Sequence, residues 1–221
     1  MKFKKNIIVI IPALAKNRYS SSGDLHQWGG STLLEWKIAQ AKRLNHIKEI
    51  YVATPDKAIK KFCKKLNVNV YARNSKDSLS KFHEKISKKF LQNYLLHLYP
   101  TSPFLSTKLI NKALAIFDKQ KNKFDSLCTV RRSNDYFFYN KKSINFDFKK
   151  ESISRTNINY LTQLSNGMFL VNAKTCFEKK NIIGNKPYFY EIDWMSSLEI
   201  NSLKDIKIYN FLINQYFEKN T

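Results

Sequence analysis

Residues 6–36 read NIIVIIPALAKNRYSSSGDLHQWGGSTLLEW. The β-branched run at 6–11 predicts a strand buried on both faces, and the STLLEW segment opens a helical pattern. In an α/β protein, such a strand–loop–helix junction is where a phosphate is usually held. Between Ile11 and Trp28, however, the loop contains a single glycine, Gly23, and no glycine-rich motif. The stretch therefore predicts an α/β protein and leaves open whether its first loop binds a nucleotide.

The rest of the chain alternates between strand and helix patterns, which predicts a single α/β domain over 1–221 with a doubly wound, mostly parallel sheet. Thr32 or Ser31, and Ser106, are candidate N-caps of two helices. A β-hairpin is predicted at 135–148 within an excursion at 132–165. Further strands are predicted at 49–54, 68–73, 94–100, 125–131 and 167–172, and helices at 31–44, 55–66, 79–92, 105–120 and 194–218.

The composition is strongly basic, with 39 Lys and Arg against 17 Asp and Glu and a formal charge of +22. A nucleic-acid partner is one interpretation of this excess. The lysines are scattered over periodic surface faces, however, which favours general lysine enrichment and no nucleic-acid partner. Three widely spaced cysteines, Cys63, Cys128 and Cys176, fit neither a disulfide framework nor a metal knuckle. No apolar run approaches 18 residues, so we expect a cytoplasmic protein without a membrane span.

Polar side chains follow several of the predicted strands, at the edge where ligands bind in open α/β sheets. The turn YPTSPF carries Thr101 and Ser102 between two prolines, and it either contacts a ligand or only ends a strand. His97, inside an apolar strand, is predicted to be a hydrogen-bonded core residue. The other candidates at this edge are Lys16, Asn17, Arg18, Ser20, Ser21, Ser22, Asp24, Arg73 and Asn74.

Glu191 and Asp193 form a second candidate site near the end of the chain. Residues i and i+2 of an extended backbone point to the same side, so two carboxylates with this spacing can share one Mg²⁺. The alternative is a solvated acidic pair ahead of a helix N-terminus.

The segment 154–172 is basic and rich in side-chain amides, and it runs through a predicted Asn166–Gly167 turn into a strand. Arg155 and Asn157 are candidates to contact a polyhydroxy or carboxylate substrate. The alternative is a loop–hairpin junction with Arg155 as a surface charge.

Taken in order, the motifs of the chain resemble those of the cytidylyltransferases that activate acidic sugars, the CMP-sialic acid synthetase family and its CMP-Kdo relatives. The similarity spans nearly the whole chain, with fifteen residues between the first two motifs. These motifs are IIPA (10–13), GGSTLLEW (29–36), VYAR (70–73), LYPTSPFLS (98–106), RTN (155–157), NGMFLV (166–171) and EIDWMSSLE (191–199).

The resemblance implies a Rossmann-like, nucleotide-diphospho-sugar transferase-like fold, and transfer of CMP from CTP to an acidic sugar with release of pyrophosphate. It implies Mg²⁺ on Glu191 and Asp193, and a homodimer formed through the excursion at 132–165. Lys16, Arg18 and Asp193 are the implied catalytic residues. The implied nucleotide-binding residues are Ala13, Lys16, Asn17, Arg18, Ser22, Arg73, Tyr99, Thr101 and Ser102, and the implied sugar-binding residues are Arg155, Asn157 and Asn166.

The chain departs from the family pattern mainly in the first loop. The family's arginine after Ile-Pro-Ala is Leu14 here, its glycines correspond to Ala15 and Lys16, and a Lys-Asn pair becomes Gly23-Asp24. Elsewhere, Tyr99 replaces Gln, Leu105 replaces Arg, Glu191 replaces Asp and Asn157 replaces Gln. A second hypothesis is therefore a homologue that binds a sugar or protein partner without catalysing transfer.

Overall fold

The computed structural model describes residues 6–147, 149 and 154–218, without the side chains of residues 157 and 214–218. The strands are β1 (Ile7–Pro12), β2 (Gln27–Trp28), β3 (Ser31–Thr32), β4 (Ile47–Thr54), β5 (Asn69–Ala72), β6 (Tyr94–Leu98), β7 (Ser126–Ser133), β8 (Phe138–Tyr139), β9 (Lys142–Ser143), β10 (Leu161–Asn172) and β11 (Pro187–Glu191). The helices are α1 (Leu33–Lys42), α2 (Lys57–Lys65), α3 (Leu79–Lys89), α4 (Thr107–Gln120), α5 (Ala173–Lys179) and α6 (Leu203–Glu218). Short 3-10 helices lie at Gly23–Leu25, Arg155–Asn157 and Met195–Ser197.

Seven strands form the main sheet in the order β11-β7-β10-β6-β1-β4-β5. Strand β10 is antiparallel to both β6 and β7, and the other neighbouring pairs are parallel. The predicted mostly parallel α/β sheet is therefore confirmed. Because β1 lies between β4 and β6, its two sides meet different parts of the chain at the carboxyl edge.

The core lies on both faces of β1, where all five residues from Ile7 to Ile11 have no exposed surface. Helices α1, α2 and α4 cover one face, and α3 and α5 cover the other. A third apolar cluster joins Trp28 and Phe104 to Ile206 and Ile213 of α6. The burial of β1 on both faces matches the prediction from its β-branched run.

The helix starts agree with the predicted caps. The Thr32 Oγ1 accepts a hydrogen bond from the Glu35 N–H at 3.1 Å, and the Ser106 Oγ accepts one from the Leu109 N–H at 3.2 Å. Each bond satisfies a backbone donor that has no partner inside its helix. The cap at Thr32 fixes where the first loop ends and α1 begins.

Two predictions of local structure are wrong. Asn166 and Gly167 form no turn but lie inside β10, where a Cβ on Gly167 would approach Leu105 Cδ2 to 3.1 Å and Thr129 Oγ1 to 3.3 Å. This glycine thus serves close packing. The helix predicted at 194–218 is a 3-10 turn followed by extended chain, and α6 begins only at Leu203.

The predicted hairpin is present as β8 and β9, paired antiparallel. Asn140 and Lys141 make its turn with φ of 48° and 65°, as a tight hairpin turn requires. The rings of Tyr136 and Phe138 lie edge-on against Phe146, with centroids 5.1 Å apart. Residues 148 and 150–153 of the 132–165 excursion lie outside the described residues.

The three cysteines form no disulfide, as predicted, and all three are buried. Burial raises the pKa of each of their thiols. Across the described residues, no helix combines the length and the apolar character that crossing a membrane requires.

His97 is fully buried in β6, but the predicted hydrogen bond is wrong, because neither ring nitrogen has a partner among the described residues. Its neighbours include the rings of Phe82 and His83, both edge-on to it. Burial, with a smaller effect of His83, holds the pKa of His97 well below its usual value of 6.5. The folded protein therefore keeps this imidazole neutral.

We expect His97→Leu to stabilise the fold, most strongly in acid. Below pH 6.5 the unfolded chain takes up a proton at His97 that the folded chain does not, so stability falls as the pH falls, by up to about 1.4 kcal/mol per pH unit for one such group. The leucine removes this linkage and two unpaired nitrogens, with an expected gain of about 1–3 kcal/mol at pH 7. Urea unfolding at pH 5, 6 and 7.5 measures both effects.

The control is His46→Asn, because His46 is exposed. As an exposed substitution, it should change the unfolding free energy by less than about 0.5 kcal/mol. An unchanged acid slope in His97→Leu would contradict the neutral, buried state of this ring.

Candidate active site

Two chain segments meet at the carboxyl edge of the sheet, on either side of β1. The first is residues 13–30, which follow β1 and which we call the β1 loop, and the second is residues 99–105, which follow β6 and which we call the β6 turn. Because the strand order changes direction between β1 and β6, the crevice between these segments is the expected ligand site of the sheet.

The β1 loop is organised around the buried carboxylate of Asp24. Its Oδ2 accepts a hydrogen bond from the Leu14 N–H at 2.8 Å, and its Oδ1 accepts one from the Tyr19 hydroxyl at 2.6 Å. Burial raises the pKa of Asp24 despite these bonds, which act to lower it. Asp56 accepts from the Ala15 N–H at 2.8 Å. The first two N–H groups after Ala13, which face phosphate in a typical phosphate loop, are thus bound to carboxylates.

Gly23 is essential to this arrangement. Its φ is +53°, and a Cβ there would lie 2.1 Å from the Leu14 carbonyl oxygen and 2.7 Å from the backbone of Ala15 and Lys16. Backbone atoms cannot move aside as the end of a flexible side chain can. The lysine that the family pattern places here therefore cannot be restored by a single substitution.

The predicted residues of the β1 loop divide into buried and exposed groups. Ala13 is buried, and its N–H donates to the Ala53 carbonyl at 3.1 Å, which continues the sheet. Asn17 closes a turn, because its N–H donates to the Ser20 carbonyl and its Oδ1 accepts from the Ser20 N–H. The exposed Ser22 hydroxyl lies 3.1 Å from His26 Nδ1.

Two cations of the β1 loop remain exposed. Lys16 makes no ion pair among the described residues, and the Arg18 guanidinium donates to Asn201 Oδ1 at 3.0 Å. The bond of Arg18 joins the β1 loop to the segment ahead of α6. A third cation at this edge is Arg73, stacked 5.1 Å from the Phe82 ring centroid, whose Nε is buried with no partner among the described residues.

The β6 turn is connected to both of its neighbours. The Ser102 hydroxyl donates to the Asn166 carbonyl at 3.3 Å, and the Thr101 carbonyl accepts from the Ile200 N–H at 2.8 Å. Ser102 is only 2% exposed, so the structure gives this candidate a structural role. Tyr99 lies edge-on to Phe169, and burial, with Glu199, raises its pKa to about 12.

Helix α1 holds the β6 turn from below through three side chains that the sequence analysis missed. Trp36 Nε1 donates to the Pro103 carbonyl at 3.1 Å, and Gln40 Nε2 donates to the carbonyls of Pro103 and Leu105 at 3.2 Å. Lys37 Nζ donates to the Ser102 carbonyl at 2.8 Å and to Gln40 Oε1 at 2.7 Å. A signal was present, because Lys37 lies within the apolar stripe of α1.

A polar cleft of about 170 Å³ opens between β7, β10 and the segment ahead of α6. Arg131 Nη2 donates to Gln163 Oε1 at 2.6 Å, and Asn166 Nδ2 donates to both oxygens of Glu199, at 2.9 and 3.2 Å. Sequence reasoning missed all of these except Asn166, because three distant segments supply them. The cleft is lined by Arg131, Gln163, Leu164, Ser165, Ser197, Leu198, Glu199 and Asn201.

The predicted metal pair is tied to its own surroundings. Glu191 forms an ion pair with Arg132 at 2.9 Å, and Asp193 accepts hydrogen bonds from the N–H and hydroxyl of Ser196 at 2.9 and 2.6 Å. Although burial acts to raise the pKa of Asp193, the bonds from Ser196 outweigh it and the pKa is lowered.

The described residues contain no group of three or more metal-ligating side chains. Two carboxylates nevertheless fit Mg²⁺, which usually keeps waters and binds phosphate oxygens beside one or two carboxylates. The ion pair of Glu191 does not prevent this, because both of its side chains are more than half exposed.

The predicted sugar-binding residues have different surroundings. The Asn166 side chain donates to Glu199 beside the cleft. The Arg155 side chain is 67% exposed, and its guanidinium lies 3.9 Å from the Asp135 carboxylate in the excursion. The side chain of Asn157 lies outside the described residues.

Known proteins similar to this chain share its fold. The sequence pattern of a family described as cytidylyltransferase matches residues 8–216. An uncharacterized protein of Methanocaldococcus jannaschii is 30% identical over 127 residues, which are 56% of this chain and 51% of the relative. The match thus spans about half the length of that relative.

Solved structures match over nearly the whole chain. A 4-diphosphocytidyl-2C-methyl-D-erythritol synthase from Anaerococcus prevotii has a TM-score of 0.66 at 18% identity and covers 96% of this chain and 97% of its own. A CMP:2-keto-3-deoxy-manno-octonic acid synthetase complexed with CTP has a TM-score of 0.69 at 10% identity, with 96% and 99% coverage. A cytidylyltransferase from Leptospira borgpetersenii has a TM-score of 0.63 at 12% identity, with 95% and 86% coverage. At these identities the similarity concerns the fold.

We expect Gly23→Ala to destabilise the protein and loosen the β1 loop. The new Cβ would overlap the Leu14 carbonyl at a positive φ, with a cost of at least about 1–2 kcal/mol. Gly30→Ala is the matched control, because a Cβ there meets nothing within 4 Å. Thermal unfolding of both variants checks this, and equal melting temperatures would refute the described loop.

Proposed function

The chain belongs to the cytidylyltransferase family, and we propose that it transfers CMP from CTP to an acidic sugar of the sialic, legionaminic, pseudaminic or Kdo type, releasing pyrophosphate for surface-glycan synthesis. The observation that carries the acceptor class is the polar cleft beside the β6 turn, which holds one cation, Arg131, among neutral and acidic hydrogen-bonding groups.

Arg131 is suited to bind the carboxylate of the acceptor. Its guanidinium is oriented by the short bond to Gln163, so the remaining N–H donors are available to an anion. Asn201 and the carboxylate of Glu199 offer hydrogen bonds to hydroxyls. A sugar that combines a carboxylate with several hydroxyls matches these groups.

The triphosphate of CTP would lie in the crevice between the β1 loop and the β6 turn. Lys16, Arg18 and Arg73 lie at this edge. In typical phosphate sites backbone N–H groups supply the positive charge, and here these three side chains would supply it. In this assignment Lys16 and Arg18 hold the leaving pyrophosphate, and Thr101 and Tyr99 lie at the nucleotide side of the turn.

The reaction is an in-line displacement at the α-phosphorus. The anomeric hydroxyl oxygen of the sugar forms a bond to the α-phosphorus, the bond to the bridging oxygen of the β-phosphate breaks, and the hydroxyl proton is lost to water. Glu191 and Asp193 would hold Mg²⁺, which neutralises charge on the phosphates when bound. Arg131 and Glu199 orient the acceptor, and the exposed cations retain the leaving group.

We propose further that the chain acts as a homodimer through the excursion. Phe138, Tyr139 and Tyr160 are 56–70% exposed on it. Exposed aromatic rings are typical of contact surfaces. Sedimentation velocity of the wild type should give a dimer and Tyr139→Lys a larger monomer fraction, whereas a monomeric wild type would contradict this assembly.

Pyrophosphate release from CTP and Mg²⁺ tests the function, with each of the four acidic sugar classes offered in turn. We expect turnover with at least one class, and a CTP-dependent rise in melting temperature without sugar. No turnover with any class, together with no CTP-dependent shift, would overturn the assignment as an enzyme.

Variants of the active protein then separate the two halves of the site. Arg131→Gln should raise the KM for the sugar by about 10- to 100-fold, the loss of one charge-assisted contact, with the KM for CTP unchanged. Arg43→Gln, at the exposed end of α1, is the control.

Asp193→Asn should lower turnover by at least about 100-fold, and turnover that survives it would show the metal assignment to be wrong.

A further inference from the structure

Lys37 links the two sides of the crevice from inside the protein. It is carried by α1, which follows β1, and its ammonium donates to the Ser102 carbonyl in the turn that follows β6. These are the two strands between which the chain order changes direction. Its ammonium thus lies directly behind the backbone of the β6 turn, which borders the switch point.

Within the part of the chain that the structure describes, the ammonium has no acidic partner. Lys37 has no exposed surface, and the acceptors of its two hydrogen bonds, Gln40 Oε1 and the Ser102 carbonyl, are both uncharged. Lysine is almost never fully buried without a paired charge, because desolvation of an ammonium costs several kcal/mol. Burial lowers the pKa of Lys37 to about 7 for this reason.

The surrounding elements supply no compensating charge. Strands β1, β2 and β3, which pack against α1, carry no ionisable side chain. In the described part of the chain, none of the remaining ionisable neighbours forms an ion pair or hydrogen bond with the ammonium. These neighbours are Glu35 and Lys42 on α1, Asp24 in the β1 loop, Tyr99 in the β6 turn and Lys108 on α4.

We propose that Lys37 is a positioning residue for a bound nucleoside triphosphate: it fixes the β6 turn through the Ser102 carbonyl, and its positive charge, which lacks an acidic partner in the free protein, is matched by the phosphates. This inference rests on the proposed use of CTP. It explains how the crevice can attract phosphates although Leu14 and Gly23 stand where the family has cations and carboxylates occupy the first N–H groups of the loop.

The charge and the positioning make different predictions. An ammonium below the crevice attracts each phosphate through a medium of low polarity, so its effect grows with the number of phosphates on the ligand. A loop support without a charge affects cytidine, CMP and CTP by similar factors. In addition, an anion that favours the charged form of Lys37 draws a proton onto the protein as it binds.

The experiment measures the binding of cytidine, CMP, CDP and CTP to the wild type and to Lys37→Met by calorimetry near pH 8, in two buffers of different ionisation enthalpy. We expect Lys37→Met to weaken the binding of all ligands by a common factor, because the support of the β6 turn is lost, and to weaken CMP binding about two- to threefold and CTP binding about tenfold more than cytidine binding. The wild type should take up a proton with CTP, and Lys37→Met should not.

Trp36→Phe is the matched control, because it removes the donor to the Pro103 carbonyl and keeps both acceptors of the Lys37 ammonium. It should weaken all four ligands by a similar factor and retain the proton uptake. Lys37→Gln keeps a hydrogen-bond donor without the charge, so it should behave as Lys37→Met does and provides a second variant if the methionine unfolds the protein.

The outcomes separate this inference from the function on which it rests. CTP binding that Lys37→Met weakens no more than cytidine binding, or that draws no proton in the wild type, overturns the role of Lys37 and leaves the cytidylyltransferase assignment standing. Absence of nucleotide binding in the wild type overturns both.

Discussion

Five consecutive residues of β1, from Ile7 to Ile11, are buried without any exposed surface, and the strand therefore needs a neighbour on each edge and helices on each face. This constraint sets the strand order, with β4 on one side and β6 on the other. It also brings the β1 loop and the β6 turn together at the carboxyl edge. The crevice, the cleft beside it and the hydrogen bonds from α1 to the β6 turn all depend on the position of this one strand.

The first N–H groups of the β1 loop donate to carboxylates of the protein itself. Asp24 and Asp56 bind the amides of Leu14 and Ala15, and the backbone around Gly23 is too close to admit a side chain. The loop on this side of the crevice is consequently held by its own hydrogen bonds and close backbone packing. In the proposed function, positive charge for a phosphate comes from side chains, namely Lys16 and Arg18 in the loop and Arg73 and Lys37 outside it.

The sequence predicted features that depend on neighbouring residues. Thr32 and Ser106 cap their helices as expected, and the hairpin at β8 and β9 is present. The errors fall where distant segments decide the structure. Gly167 suggested a turn, but it lies within a strand, where the absence of a side chain lets Leu105 and Thr129 pack close to its backbone. His97 suggested a hydrogen bond, but neither of its ring nitrogens has a partner among the described residues, and the rings of Phe82 and His83 lie edge-on to it.

By itself, the sequence determined the α/β class, the central position of β1 and the segments that meet at the ligand edge. It could do so because periodicity, caps and turns are properties of adjacent residues. Only the tertiary structure decided which side chains form the proposed site. Arg131, Glu199 and Lys37 lie far apart in the chain, and their roles depend on which groups burial and hydrogen bonding place beside them. From the sequence alone, a lysine on the surface cannot be told from a buried lysine without an acidic partner, because an ammonium is desolvated only once the chain has folded.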